Sequence, residues 1–211
     1  MNPRSSQSLV NTVYTLYLFN FHRELGRYRL AQELGVSKDQ TRTIIKRLVD
    51  INLIQKVSQR QGHELSSEGK ELLDRCQEYL HIPMVRVYFG SDYTLGTKDA
   101  VVCLEASDID QINTVILRDE ALLAGSMGCT VFFQDSSGEY FLLNVTYPPL
   151  PSNPLTSKNV KNRLRRVTQG LLWKEILIIV GTADTTILAQ KGAIAAGLLL
   201  LPEDLKQQLM T

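Results

Sequence analysis

The 211-residue sequence predicts an α+β protein in two parts. Residues 1–82 form a mainly helical domain that includes a hairpin, and residues 83–211 form an α+β domain on a mostly antiparallel sheet. Three observations predict this. Leu34-Gly35-Val36-Ser37 separates two short amphipathic patterns, so a helix, a tight turn and a second helix follow one another. Leu53-Ile54-Gln55-Lys56-Val57 and His63-Glu64-Leu65-Ser66 flank a polar Ser58-to-Gly62 loop, which reads as strand, loop, strand. Beyond Ile82-Pro83 the pattern changes to short apolar runs punctuated by Gly, Pro and Asp, and Glu175-Ile176-Leu177-Ile178-Ile179-Val180 is apolar on both faces, as a central strand is.

Met1 to Ser8 is polar and frayed in this reading, and Leu9, Val13, Leu16 and Phe19/Asn20 start an amphipathic helix reaching about His22. Its Tyr14, Tyr17, Phe19 and Phe21 suit either core packing or a subunit surface. Arg27 to Leu34 is the next helix, with Leu30 and Leu34 inward and Arg27 and Arg29 free for a phosphate backbone. Gly35 ends it. Ser37 caps a further helix in which Thr41, Ile45 and Leu48 share one face, while Lys38, Gln40, Arg42, Thr43 and Lys46 lie largely on the other. These are side chains that suit the major groove of double-stranded DNA: Arg and Lys for guanine or phosphate, Gln for adenine, Thr for a thymine methyl. At the loop tip Arg60 and Gln61, beside Gln59, are candidates for the minor groove or its phosphates, and a solvated loop is the plain alternative. Ser67 caps the helix that runs through Leu72, Leu73 and Tyr79 to His81.

The order of helix, turn, helix, Leu-Ile strand, Arg/Gln/Gly tip and Leu65-Ser66-x-x-Gly69-Lys70 exit resembles a MarR-type winged helix-turn-helix domain. That resemblance implies a DNA-binding transcriptional regulator. Winged helices also serve as protein-docking modules, so the resemblance carries a second class of function with it.

In the second domain Val85 to Phe89 and Ala100 to Leu104 read as strands and Ile116 to Ala124 as a helix stopped by Gly125 or Gly128. Cys129 to Phe133 and Glu139 to Leu143 make a hairpin through Gln134-Asp135-Ser136-Ser137-Gly138. Pro148, Pro149, Pro151 and Pro154 forbid regular structure. Ser157 to Gln169 is a basic helix, and Thr185 to Leu200 is a helix whose Ala and Gly residues allow close packing on a sheet. Pro202 and a short polar tail follow. The winged unit, the Leu117-Arg118-Asp119-Glu120-Ala121 helix, the hairpin and the late strand with its small-residue helix together resemble an uncharacterised archaeal two-domain family, which implies a regulator of unknown ligand.

Composition bounds the function. Residues 1–82 hold 12 Lys+Arg against 9 Asp+Glu and residues 83–211 hold 11 against 13, so the small basic surplus sits with the helix-turn-helix. Cys76, Cys103 and Cys129 are odd in number and widely spaced. His22, His63 and His81 are not at ligand spacing, so the expectation is no disulfide framework, no metal site, no cofactor and a reduced cytoplasm. No stretch is long and apolar enough for a membrane span. No nucleophile–base pair and no phosphate-binding loop is evident, so an enzyme is the weaker class, open only for residues 83–211, where a nucleotide or vitamin chemistry would need a site the sequence does not display.

Two stretches are candidates for binding a small-molecule effector. Thr182, Asp184 and Thr185 occupy the turn before the last long helix, where amides and hydroxyls hold anions or merely cap the helix. Arg118, Asp119 and Glu120 offer an Arg beside two acids, for a polar effector, a neighbouring subunit or solvent. The expectation is a homodimeric DNA-binding regulator, since paired half-sites supply most of the specificity of a small DNA-binding domain.

Overall fold

The computed structural model describes residues 3–22, 24–58, 62–83, 87–90, 92–106, 109–143 and 154–210. Val85, Arg86, Pro148, Pro149, Pro151 and the tip residues Gln59, Arg60 and Gln61 lie outside these. The chain forms two compact units, residues 1–78 with 201–211, and residues 79–200. The class is α+β, with antiparallel sheets in both units.

The first unit opens with α1 (Pro3–His22), which starts well before the first apolar position, with proline at a position where a missing N–H costs nothing. It is not one-faced. Val10, Tyr14, Tyr17 and Leu18 are buried with Leu9, Val13, Leu16 and Phe19, as befits a central helix against which α2, α3 and α8 pack; of its aromatic residues only Phe21 is exposed. Thr12 and Thr15 are tolerated there because their hydroxyls donate to Ser8 O (3.0 Å) and Asn11 O (2.6 Å).

α2 (Arg27–Leu34) ends at Gly35, whose φ of 60° is left-handed and lets the chain reverse directly into Ser37. Ser37 and Gln40 then make a reciprocal capping box that fixes the start of α3 (Lys38–Asp50). β1 (Ile54–Ser58) pairs antiparallel with β2 (Gly62–Leu65), Ile54 opposite Leu65 and Lys56 opposite His63.

α4 (Ser67–Tyr79) is capped by Ser66 rather than Ser67: the Ser66 hydroxyl accepts from Gly69 N (2.9 Å) while donating to Asn52 O (2.5 Å), which ties the helix start to the end of α3. The helix stops two residues earlier than the sequence suggests, because Leu80 and His81 are taken into a sheet as β3.

The expected polar tail is a helix, α8 (Glu203–Met210), and it belongs to the first unit, not the second. Leu205 and Leu209 are buried, and α8 packs on α1. Arg75 donates to Asp204 (3.2 Å) and Gln208. Arg47 of α3 donates to Leu209 O (3.2 Å), Met210 O (3.0 Å) and the Ser8 hydroxyl. A guanidinium thus caps the negative end of α8.

The second unit is a five-stranded antiparallel sheet, β3-β4-β7-β5-β6, formed by β3 (Leu80–His81), β4 (Lys98–Glu105), β5 (Cys129–Gln134), β6 (Tyr140–Leu142) and β7 (Ile176–Ala183). β7 is flanked by β4 and β5 and is buried along its whole length, the reason its sequence is apolar on both faces. One face, with Val101, Cys103, Phe132, Ile178 and Val180, packs on Val160, Leu164 and Val167 of α6 (Lys158–Thr168). The other packs on α7 (Thr186–Leu198), with α5 (Thr114–Leu123) against it. A Cβ on Gly181 would collide with Ala189 O and lie 2.5 Å from Ala193 N, so the small residues of α7 and β7 set how closely helix and sheet approach.

Of the expected strand at Val85–Phe89, Val85 and Arg86 lie outside the described residues, and Val87 forms a bridge with Asp99. Nearby backbone groups are instead held by a buried carboxylate: Asp99 Oδ2 accepts from Phe89 N (2.6 Å) and Thr94 Oγ1 (3.2 Å).

Candidate functional site

The capping box sets the register of α3, and register decides which side chains face outward. Thr41, Ile45 and Leu48 are buried, with the Thr41 hydroxyl donating to Ser37 O (2.9 Å). Lys38, Asp39, Arg42, Thr43 and Lys46 are exposed. Among the described residues neither Arg42 nor Lys46 is held in an ion pair, so both cations are available to an external anion.

Two expected readers are differently placed. Gln40 is exposed, but its Oε1 accepts from Ser37 N (2.9 Å), so bidentate pairing with adenine would break the cap of its own helix. Thr43 donates its hydroxyl to Asp39 O (3.1 Å), which leaves its methyl as the group to present.

The phosphate-positioning candidates gather around a residue the sequence analysis passed over. Tyr28, exposed in α2, has Arg27 Cζ 5.3 Å and Lys38 Nζ 5.0 Å from its ring centroid. The aromatic ring thereby joins a cation from each helix of the turn. The available signal was a tyrosine between two arginines at the start of a short helix. Arg29 is engaged otherwise, donating to His22 Nδ1 (3.2 Å) and lying 3.9 Å from Glu33. Arg60 and Gln61 are among the residues outside the description.

The effector candidates do not form one site. Thr182 lies inside β7, not in a turn, because the strand runs on to Ala183; its Oγ1 accepts from Gly96 N (2.7 Å) and it is buried. Thr185 caps α7 by accepting from Leu188 N (3.3 Å), and Asp184 is exposed beside it. Arg118 donates from Nε and Nη2 to Asp119 Oδ1 (3.2 and 2.9 Å), both side chains about half exposed, and Glu120 follows on α5. Of these six, Arg118 lines a cavity.

Burial decides the state of several titratable groups. It pushes the thiols of Cys76 and Cys129 up to about 12 and that of Cys103 higher still, which leaves all three protonated at neutral pH. Burial, helped by the Lys56 charge, holds His63 below the usual histidine range, and burial alone does so for His81. Among the described residues no three His, Cys, Asp or Glu side chains cluster as a metal site would, and no helix is long and apolar enough to cross a membrane.

No protein-family model matches the chain, and no curated protein matches it. Among solved structures, a hypothetical protein from Pyrococcus horikoshii OT3 superposes with a TM-score of 0.73 at 18% identity, over 95% of this chain and 96% of that one. At that identity the likeness is one of fold.

Proposed function

We propose that the protein is a cytoplasmic, sequence-specific DNA-binding transcriptional regulator whose first unit is a MarR-like winged helix and whose second unit senses a small molecule. The observation that carries the reading is the division of α3: a locked inner face of Thr41, Ile45 and Leu48, and an outer face whose Arg42 and Lys46 are exposed and in no ion pair among the described residues. In this reading α3 enters the major groove, Arg42 and Lys46 contact guanine or phosphate, and Arg27 and Lys38, gathered by Tyr28, hold the backbone alongside. Two copies bind as a homodimer, and effector binding shifts the population of binding-competent dimers.

The test is binding to fragmented genomic DNA across a salt series, wild type against Arg42→Ala. Discrete enriched sites, weakened by salt and lost in the variant, are the expected result, with the salt slope falling by about one for each phosphate contact removed. Absence of binding at every salt concentration would overturn the DNA-reading half and favour a protein-docking role for the same unit. A monomer in light scattering, free and on DNA, would overturn the dimer.

A further inference from the structure

A cavity of about 230 Å³ lies between α5, the β5–β6 hairpin and the loop that precedes β4. Val131, Leu142 and Leu143 give it an apolar wall, and the oppositely charged residues Arg118 and Asp92, both exposed, also line it. We infer that it binds a small zwitterion of α-amino-acid size, the carboxylate meeting Arg118, the ammonium meeting Asp92 and an aliphatic side chain lying on the apolar wall. The inference rests on the sensing half of the proposed function and not on its DNA-reading half.

Size comes first. The volume equals roughly eight waters of liquid and falls below the range of pockets that take nucleotides or drug-sized molecules. Charge narrows the class further. A cavity with Arg118 alone would favour a plain anion, but Asp92 repels one unless the same molecule presents a cation. Both charges are available. Asp92 is in no ion pair among the described residues, and the present partner of Arg118 is its sequence neighbour Asp119 in a half-exposed pair, an arrangement that holds an arginine weakly.

The residues that follow Asp92 are also held in advance. Tyr93 N and Thr94 N both donate to Gly90 O (3.0 Å), Thr130 Oγ1 donates to Tyr93 O (2.5 Å), and Asp99 and Thr182 secure Thr94 and Gly96. Preorganisation of this kind spares a ligand the cost of ordering its own site. Cys129, also on the cavity wall, is held as a neutral thiol by burial.

Calorimetry of the full chain without DNA tests this. The probes are the standard amino acids, 4-methylpentanoate, which is leucine without its ammonium, and 3-methylbutylamine, which is leucine without its carboxylate. One or more aliphatic amino acids should bind with one site per chain, and neither stripped analogue should bind. Arg118→Ala and Asp92→Asn should each weaken binding about 10- to 100-fold, the loss of one charge-assisted hydrogen bond, while melting like the wild type without ligand.

No binding by any amino acid, or 4-methylpentanoate binding as tightly as leucine, would overturn the inference. DNA binding measured without amino acid separates the two readings: its loss alongside intact amino-acid binding condemns only the DNA reading.

Discussion

Arg47→Met removes the cap from α8 while keeping an apolar stem of similar length in place. The guanidinium makes three hydrogen bonds, to Leu209 O, Met210 O and the Ser8 hydroxyl. Each charge-assisted bond is worth about 1.5–3 kcal/mol when its partner is left unsatisfied, and the charge–dipole interaction at a helix end adds about 0.3–1 kcal/mol. Carbonyls at a helix terminus recover part of this from water, so the net loss is about 2–3 kcal/mol. In a unit of this size each kcal/mol moves the melting temperature by about 4–8 °C, which gives a fall of roughly 10–20 °C. Circular dichroism melting of wild type and Arg47→Met, each with and without residues 203–211, forms a double-mutant cycle that isolates the cap. If Arg47→Met costs as much without α8 as with it, the cap is not the source of the stability and the reasoning fails.

Three further outcomes are expected. Because His63 and His81 titrate below their unfolded value, the unfolded chain takes up protons first as pH falls. Stability is therefore full above about pH 6.5 and is lost as pH drops through the folded-state values; urea midpoints near pH 7.5 and 5.5 should show the fall, and His63→Gln should reduce it. Gly181→Ala places a methyl against the backbone of α7, and chemical denaturation should show a loss of about 1–3 kcal/mol, where an unchanged midpoint would mean the helix is free to retreat. None of the three thiols should react rapidly with a disulfide reagent in the native protein near pH 8, and all three should react once it is unfolded; a fast native thiol would contradict the burial that keeps them protonated.

Local chemistry was legible in the sequence and distant chemistry was not. Gly35 and Ser37 mark the turn between α2 and α3 because a left-handed residue and a cap act within a few positions. The Gln134–Gly138 turn marks the β5–β6 hairpin for the same reason, with Asp135 Oδ1 accepting from the amides of Ser137 and Glu139 (both 2.9 Å). The place of β7 between β4 and β5 depends on pairing strands separated by more than 40 residues, which no local pattern reports. Thr182 shows the same limit at the scale of one residue: a Gly-Thr-Ala-Asp-Thr-Thr run reads as a turn, yet cross-strand partners Asp99 and Ala100 hold its first part in the sheet. The cavity beside Arg118 was half visible, since an Arg on an exposed helix draws notice, whereas Asp92 joins it only through the folded loop.

The two ends of α3 tie the proposed DNA reading to the far end of the chain. At its start the capping box fixes which side chains face outward, and near its end Arg47 clasps the last carbonyls of α8. The chain reaches α8 only after completing β7 and α7, so the second unit is covalently continuous with an element hydrogen-bonded to the flank of α3. A ligand that favours one arrangement of residues 79–200 acts on α3 through α8 only to the extent that α8 binds differently in that arrangement, because a ligand with equal affinity for two states shifts neither. Under the proposed function, Arg47 is where such a difference would reach α3. In the proposed regulator, Arg47→Met should lower the coupling between effector and DNA, measured as the ratio of DNA affinities with and without effector, more than it lowers DNA affinity itself. An equal loss in both would mean that Arg47 serves only the stability of the first unit.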